Sequence, residues 1–266
     1  MKSRLEMAIK ASVDAGDVLM ENYGKIYQTR NKESLRDVVS EIDKLSEEKV
    51  ITSLKENDPD CSLLTEESGM IGEKKDSKWI IDALDGTVNY IHNIPFFCVS
   101  VSYWQNNAPK IGVIYNPYSK EIFYAEEGLG SFVNQTKIQV EKKNLKQGLS
   151  AMAFSGKAHN PKKRESEFVL FGQLNDSTQG CLRTGSAAMN LAYLSSGKFN
   201  IVLGKANKLW DVAAGMLIAK EAGANLDYKI IDQEKSLVDY ICYSSSTEEV
   251  YSGDIDLSYL QVKQSL

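Results

Sequence analysis

The first element that the pattern of apolar and polar residues predicts is an amphipathic helix. Apolar residues recur every three or four positions over residues 4–23, and charged residues lie between them. This spacing places the apolar side chains on one helix face, which we expect to pack against the core. Gly24 follows the last apolar position and is a typical helix stop.

A second helix is predicted after a polar stretch. Residues 28–36 are rich in charge and poor in apolar side chains, which favours a loop. Ser40 and Asp43 have the three-residue spacing of a capping box, in which two side chains satisfy free backbone N–H groups. We therefore predict a helix from Ser40 to about Lys55. On this interpretation, the role of Asp43 is structural.

Short alternating runs predict strands in the middle of the chain. Residues 97–104 alternate between two faces, and turns separate this run from further runs at residues 110–115 and 121–125. Residues 128–134 are predicted to form another hairpin, because no helix follows the glycines as a phosphate-binding loop requires. The spacing favours an antiparallel meander.

From about Gly148, helix-length and strand-length patterns alternate. The predicted strands cover residues 149–154, 199–203, 226–228 and 240–243, and the predicted helices cover 161–174, a segment ending at 196, 210–223 and a last segment from 247. The chain as a whole is therefore predicted to be a mixed α/β (α+β) protein. We expect an N-terminal half of residues 1–147 and a C-terminal half of residues 148–266.

The segment that carries candidate chemistry follows a short apolar run at residues 79–81. Asp82 and Asp85 come directly after this run, and Gly86 and Thr87 follow them. Two carboxylates held at a strand end, beside a glycine turn with free N–H groups, are suited to a hard cation and an anion together. Mg²⁺ prefers such oxygen ligands and leaves sites for water and phosphate. An ordinary Asp-Gly turn is the alternative interpretation.

The composition of the whole chain limits which partners it is expected to bind. The chain has 266 residues and a formal net charge of −5, so we expect neither nucleic acid nor an anionic membrane as a bulk partner. The four cysteines are scattered without zinc-site spacing, which indicates reduced thiols. Residues 1–10 lack the pattern of a secretion signal. We therefore expect a cytoplasmic protein.

Three segments, taken in order, resemble the inositol monophosphatase family. They are Glu66-Glu67-Ser68, the segment Trp79–Tyr90, and Trp210–Gly215. The second matches the family pattern Trp-Ile-(Ile/Val)-Asp-Pro-(Ile/Leu)-Asp-Gly-Thr-x-Asn-(Phe/Tyr), except that Ala83 replaces the proline. The resemblance implies a five-layer α-β-α-β-α sandwich of the inositol monophosphatase/fructose-1,6-bisphosphatase type. It also implies Mg²⁺-dependent, lithium-sensitive phosphatase activity and a homodimer.

The resemblance also assigns roles to individual residues. Two or three Mg²⁺ ions per site would be held by Glu66, Asp82, the Leu84 carbonyl, Asp85 and Asp211. Thr87 and Asp43, with Glu66, would carry catalysis by positioning the attacking water. The residues expected to bind substrate are Asp85, Gly86, Thr87, Arg183, Gly185, Ser186 and Ala187. The residues alone also allow Asp211 a role as a helix cap, because it precedes an apolar helical pattern.

Substrate choice is the point at which the chain departs from the family pattern. Inositol phosphatases carry a glutamate six residues before the tryptophan of the third segment, and this chain has Gly204 there, followed by Lys205. The leading expectation is hydrolysis of inositol 1-phosphate, a small phosphorylated polyol. The alternatives are fructose 1,6-bisphosphate, histidinol phosphate or a 3′-phosphonucleotide, with Lys205 binding a second phosphate. A regulatory binding protein without catalysis on the same fold is also an open reading.

Overall fold

The structure is a computed structural model that describes residues 3–25, 32–73, 76–154, 160–251 and 255–262. Its helices are α1 (Arg4–Asn22), α2 (Lys32–Lys55), α3 (Thr87–Ile91), α4 (Pro161–Ser177), α5 (Ala187–Ser195), α6 (Leu209–Glu221) and α7 (Thr247–Tyr251). Its strands are β1 (Ser62–Thr65), β2 (Met70–Ile71), β3 (Ser77–Asp85), β4 (Cys98–Gln105), β5 (Ala108–Asn116), β6 (Glu121–Glu126), β7 (Gly130–Val133), β8 (Thr136–Ile138), β9 (Ser150–Ala153), β10 (Cys181–Leu182), β11 (Ile201–Lys208), β12 (Asn225–Asp232) and β13 (Leu237–Tyr243).

The predicted first helix is confirmed as α1. Ser3 caps it, because its hydroxyl accepts the Glu6 N–H while the Glu6 carboxylate accepts the Ser3 N–H. The apolar stripe is buried as expected, and Ala8, Ala11 and Leu19 have no exposed surface.

The predicted start of the second helix is wrong. Helix α2 begins at Lys32, so residues 32–36 are helical and not part of a loop. Asp43 consequently lies inside the helix, where it cannot cap a terminus, and its side chain is only 5% exposed. The remaining part of the predicted loop, residues 28–31, lies outside the described residues.

The first sheet has eight strands in the order β2-β1-β3-β4-β5-β6-β7-β8. Strands β3 to β8 pair antiparallel in sequence order, which confirms the predicted meander and the hairpin near residue 130. Strands β1 and β3 pair in parallel, whereas β1 and β2 pair antiparallel. The central β3 thus lies between β1 and β4, with carboxylates at its carboxyl end.

The second sheet has five strands in the order β10-β9-β11-β13-β12. Its first three strands are parallel, and β11, β13 and β12 pair antiparallel. Consecutive β13 residues face opposite ways, as the two-residue period of a strand requires. Tyr240 and Cys242 pack with α5 and α6, whereas Ile241 and Tyr243 pack on the α4 side.

The layers follow from which helices cover each sheet face. Helices α1 and α2 pack on one face of the first sheet, and α5 and α6 fill the space between the two sheets. Helix α4 covers the outer face of the second sheet. This order confirms the five-layer α-β-α-β-α sandwich. The division into halves at residue 148 stays a prediction about domain organisation.

Two further features concern the chain as a whole. All four cysteines are buried free thiols, as their scattered spacing in the sequence predicts. Within the described ranges, every helix is too short or too polar to cross a lipid bilayer.

Candidate active site

The carboxyl end of β3 brings two acids to the boundary between the first sheet and the middle helices. Side chains three residues apart on a regular strand point to opposite faces. The pairing of β3 with β4 is irregular between Asp82 and Asp85, and such an irregularity re-aims side chains. Asp82 is 2% exposed, and its Oδ1 accepts the Leu84 N–H at 2.9 Å. The local backbone therefore fixes the direction of the Asp82 carboxylate.

Three carboxylates from separate elements converge at this strand end. One oxygen each of Glu66, Asp82 and Asp211 lies within 4.8 Å of the other two. Glu66 follows β1, and Asp211 lies in the first turn of α6, where its Oδ2 accepts the Lys208 N–H at 3.3 Å. Asp211 therefore has the predicted capping contact and also belongs to the cluster, so the two interpretations are compatible.

The charges closest to these buried acids are mainly those of other carboxylates, and Lys208 offsets them in part at Asp211. Burial, and then the charges of Glu66, Asp85, Asp211 and Asp43, raise the pKa of Asp82 well above its usual value. Burial and acidic neighbours also raise the pKa of Asp211 well above its usual value and that of Glu66 to about 7. The charges that act on Asp82 are all carboxylates, which is the situation that a bound cation relieves. The all-oxygen donor set fits Mg²⁺.

Asp85 is oriented by the start of helix α5. Its Oδ2 accepts the Ser186 hydroxyl at 2.6 Å and the Ala188 N–H at 2.7 Å. Burial raises the pKa of Asp85 to about 6, and these hydrogen bonds partly oppose the rise. Its charge also acts on Glu66 and Asp211, so Asp85 is the fourth acid of the cluster.

The turn after Asp85 requires glycine. Gly86 has a φ of +97°, and a Cβ on it would lie 2.9 Å from the Phe96 carbonyl oxygen. The next residue, Thr87, donates its hydroxyl to the Leu84 carbonyl at 3.1 Å. This bond fixes the orientation of the carbonyl that the sequence analysis names as a ligand. The expected pairing of Thr87 with Asp43 stays a prediction.

Helix α2 supplies a second group of acids behind Glu66. Burial, and then the charges of Glu66, Glu67 and Glu47, raise the pKa of Asp43 to about 8. Glu47, one turn further on, accepts the Glu67 N–H at 2.9 Å and the Ser68 N–H at 3.0 Å. Glu47 therefore holds the loop that carries Glu66. Glu47 was not predicted as part of the site, although its spacing of four from Asp43 places both acids on one face of a helix.

A cavity of about 180 Å³ opens beside the acids. Five of the expected substrate residues line it: Asp85, Arg183, Gly185, Ser186 and Ala187. The remaining lining residues are Asp211, which was expected as a metal ligand or a helix cap, and five that were not predicted, namely Met152, Ala153, Phe154, Asn190 and Asn207. Gly86 and Thr87 lie next to Asp85 but are not part of the cavity wall.

Comparison with known proteins agrees with this geometry. The profile of the inositol monophosphatase family matches residues 1–238, which is most of the chain. The chain belongs to the inositol monophosphatase family. The assignment explains why acids from β1, β3 and α6 meet beside a polar cavity, and the family and its named members indicate a phosphatase.

Individual relatives of this chain within the inositol monophosphatase family carry different names. Nus factor SuhB of Haemophilus influenzae is 36% identical over 225 residues, which are 84% of each chain. The fructose-1,6-bisphosphatase/inositol-1-monophosphatase of Thermotoga maritima is 34% identical over 225 residues, 83% of this chain and 82% of that protein. The structure of the Anabaena (Nostoc) inositol monophosphatase matches with a TM-score of 0.81 and 31% identity over 94% of each chain.

In the bisphosphate alternative, Lys205 was expected to bind a second phosphate of the substrate, but its side chain lies away from the cavity. Its ammonium group donates to the Tyr259 carbonyl and lies 4.0 Å from the centre of the Tyr259 ring. Tyr259 packs on the outer side of the second sheet, and Lys205 is not part of the cavity wall. The suggestion that Lys205 binds a second phosphate therefore loses its structural basis.

Proposed function

We propose that this protein is a Mg²⁺-dependent phosphomonoesterase that hydrolyses the phosphate ester of a small polyol, with inositol 1-phosphate as the leading substrate. The observation that carries the proposal is the convergence of Glu66, Asp82 and Asp211 within 4.8 Å beside a polar cavity. Asp85 contributes to both, because it belongs to the acid cluster and lines the cavity.

Following the family resemblance, we assign the acids to two ligand sets. Glu66, Asp82 and the Leu84 carbonyl would hold one Mg²⁺, and Asp82, Asp85 and Asp211 would hold another. A third, weaker ion would rely on Glu66. Bound Mg²⁺ supplies an acidified water and neutralises charge on the phosphoryl oxygens.

The remaining groups of the chain would orient the reactants. The N–H groups of Gly86 and Thr87 would bind a phosphate oxygen at the turn that follows Asp85. The Thr87 hydroxyl and the Asp43 carboxyl would position the attacking water. Positive charge beside Glu66 would lower the raised pKa of Asp43, and its carboxylate would then accept the proton of the water. A new P–O bond forms, the ester P–O bond breaks, and the alcohol oxygen takes a proton from solvent.

The alcohol part of the substrate would lie in the cavity. Arg183, Ser186, Asn190 and Asn207 give its wall a polar character suited to an alcohol with several hydroxyl groups. The name of the Thermotoga maritima relative includes both an inositol phosphate and a sugar bisphosphate activity. The position of Lys205 disfavours the bisphosphate here. Cytoplasmic location, lithium sensitivity and a homodimer belong to the same proposal.

A second candidate function is regulatory binding of a macromolecular partner. The observation in its favour is the name of the Haemophilus influenzae relative, Nus factor SuhB. The acid cluster argues for catalysis, because a binding role does not require buried carboxylates that oppose one another electrostatically.

The test is phosphate release from a panel of esters with and without Mg²⁺. The panel contains inositol 1-phosphate, fructose 1,6-bisphosphate, histidinol phosphate and a 3′-phosphonucleotide. Mg²⁺-dependent release that is fastest from inositol 1-phosphate is the expected result. Faster release from another ester would keep the reaction and change the substrate. No release from any ester, together with no Mg²⁺-dependent shift in melting temperature, would leave the regulatory role.

A further inference from the structure

Two buried polar atoms of the second sheet lack a hydrogen-bond partner among the described residues. They are Asn207 Oδ1 and Tyr240 OH, both inaccessible to solvent, and Asn207 lines the cavity. Buried polar atoms are nearly always satisfied in folded proteins, since leaving one unpaired is destabilising. Asn207 as a residue is only partly buried and lines the cavity, so its side chain has unused hydrogen-bonding capacity next to the space that a ligand would occupy.

The position of the Asn207 amide depends on the glycine at residue 204. A Cβ on Gly204 would lie 2.1 Å from Asn207 Oδ1 and 2.8 Å from Tyr240 Cε1. The Asn207 side chain thus occupies the space in which any side chain at 204 would begin. The absence of a side chain at residue 204 is therefore what allows the Asn207 amide to lie in this space.

A strand irregularity presents Asn207 in this position. The pairing of β11 with β13 changes register between Gly204 and Asn207, and Ala206 has a φ of +51°. The Ala206 N–H donates to Asp239 Oδ1 at 2.8 Å. Asp239 has no exposed surface, and its Oδ2 accepts the Gln261 N–H at 2.7 Å. The buried Asp239 carboxylate therefore stabilises the unusual backbone at Ala206 through a hydrogen bond.

The amide also lies close to the reacting groups. Asn207 lines the same cavity as Asp85 and Asp211. The charges of Asp211 and Asp85 add to the effect of burial in raising the pKa of Tyr240. A small alcohol bound beside these acids would therefore come within reach of the Asn207 side chain.

We propose that Asn207 is a specificity-determining residue that hydrogen-bonds a hydroxyl group of the alcohol part of the phosphate ester. This rests on the proposed phosphatase function, because it assigns a role in the same cavity. Gly204 leaves room for the amide and for the Tyr240 ring. A site that hydrogen-bonds a substrate hydroxyl discriminates against esters that lack it, because the buried amide is then left unpaired.

The experiment compares inositol 1-phosphate with p-nitrophenyl phosphate, whose alcohol part carries no further hydroxyl. With Mg²⁺ present, N207A is expected to raise KM for inositol 1-phosphate by about tenfold with kcat nearly unchanged. Its kinetics with p-nitrophenyl phosphate are expected to match wild type. G204A should produce the same split by displacing the amide, and the double variant G204A/N207A should match N207A. Asn225→Ala, at an exposed asparagine of β12, is the matched control.

The outcomes separate the two proposals. Equal effects of N207A on both esters, or none on either, would overturn the role of Asn207 while wild-type release upholds the phosphatase. No release by wild type from either ester would overturn the phosphatase. In that case, calorimetry of inositol 1-phosphate binding tests the role of Asn207 without turnover. Weaker binding by N207A than by wild type would support the role, and equal affinity would contradict it.

Discussion

The Ser186 hydroxyl donates a 2.6 Å hydrogen bond to Asp85 Oδ2 and so joins the start of α5 to the end of β3. The Ala188 N–H donates to the same oxygen at 2.7 Å. The partial positive charge at the start of a helix favours this contact with a carboxylate. One helix end therefore orients a candidate metal ligand and, through Ser186 and Ala187, forms part of the cavity wall.

Ser186→Ala tests this link. The variant loses a hydrogen bond to a buried carboxylate and the cap of α5, where the Ser186 hydroxyl accepts the Met189 N–H at 3.1 Å. We expect a loss of about 1–2 kcal/mol in the free energy of unfolding and a weaker response to Mg²⁺ in activity assays. Ser186→Thr should recover most of both.

Ser195→Ala is the matched control for this variant, because the Ser195 hydroxyl is also buried in α5 but donates to the Leu191 carbonyl at 2.7 Å. It should leave the Mg²⁺ dependence unchanged. Wild-type Mg²⁺ dependence in Ser186→Ala would show that the Ser186–Asp85 bond does not orient a metal ligand.

Asp82→Asn tests the centre of the acid cluster. Asparagine keeps the acceptor for the Leu84 N–H but removes the shared negative charge, so Mg²⁺-dependent phosphate release should fall more than about 100-fold. In EDTA the variant should melt at a higher temperature than wild type, because a buried carboxylate among other carboxylates is gone. Asp76→Asn, at an exposed position just before β3, should change neither property. Near-wild-type turnover by Asp82→Asn would contradict the site.

The helical stripes and alternating strands predicted a mixed α/β protein because they are regular, whereas the five-layer arrangement was implied by the family resemblance. The prediction failed where a local pattern had two explanations. The Ser40–Asp43 spacing fits a capping box, but the helix begins at Lys32, in a charged stretch with little apolar periodicity. Helix α2 packs against α1 and the first sheet with one face, so apolar residues are needed on that face alone.

The acids of the site were predictable, and the opposite wall of the cavity was not. Asp82, Asp85 and Asp211 lie in segments with recognisable patterns, and the structure brings them together. Asn207 takes its place through a strand irregularity and through the hydrogen bond that the neighbouring Ala206 N–H donates to Asp239, 33 positions further along the chain. The sequence shows the glycine at 204 but does not reveal which side chain fills the space.

The stability of the metal-free protein should fall as pH rises. In the fold, the pKa of Asp43 is raised to about 8, that of Glu66 to about 7 and that of Asp85 to about 6. Between the unfolded values near 4 and these folded values, the native state binds more protons than the unfolded state, so its stability decreases with pH.

Thermal unfolding in EDTA from pH 5 to pH 8.5 measures this effect. The melting temperature should decrease across the range, and saturating Mg²⁺ should reduce the decrease because bound cations favour the ionised acids. Asp43→Asn should flatten the upper part of the curve. A melting temperature in EDTA that rises through this range would contradict the raised pKa values.

Gly86→Ala tests whether the turn after Asp85 requires glycine for its conformation alone or also for close packing. Gly86 and Gly128 both have a positive φ, +97° and +81°, but a Cβ on Gly128 would have no atom within 4 Å. Gly128→Ala should therefore lose only the conformational contribution to the free energy of unfolding, about 1–2 kcal/mol.

Gly86→Ala should lose about 1–3 kcal/mol more, because its Cβ would meet the Phe96 carbonyl oxygen. It should also reduce phosphate release, since Thr87 and the Leu84 carbonyl adjoin the displaced turn. Chemical denaturation of both variants gives the difference, and equal losses would mean that the Phe96 contact relaxes without effect.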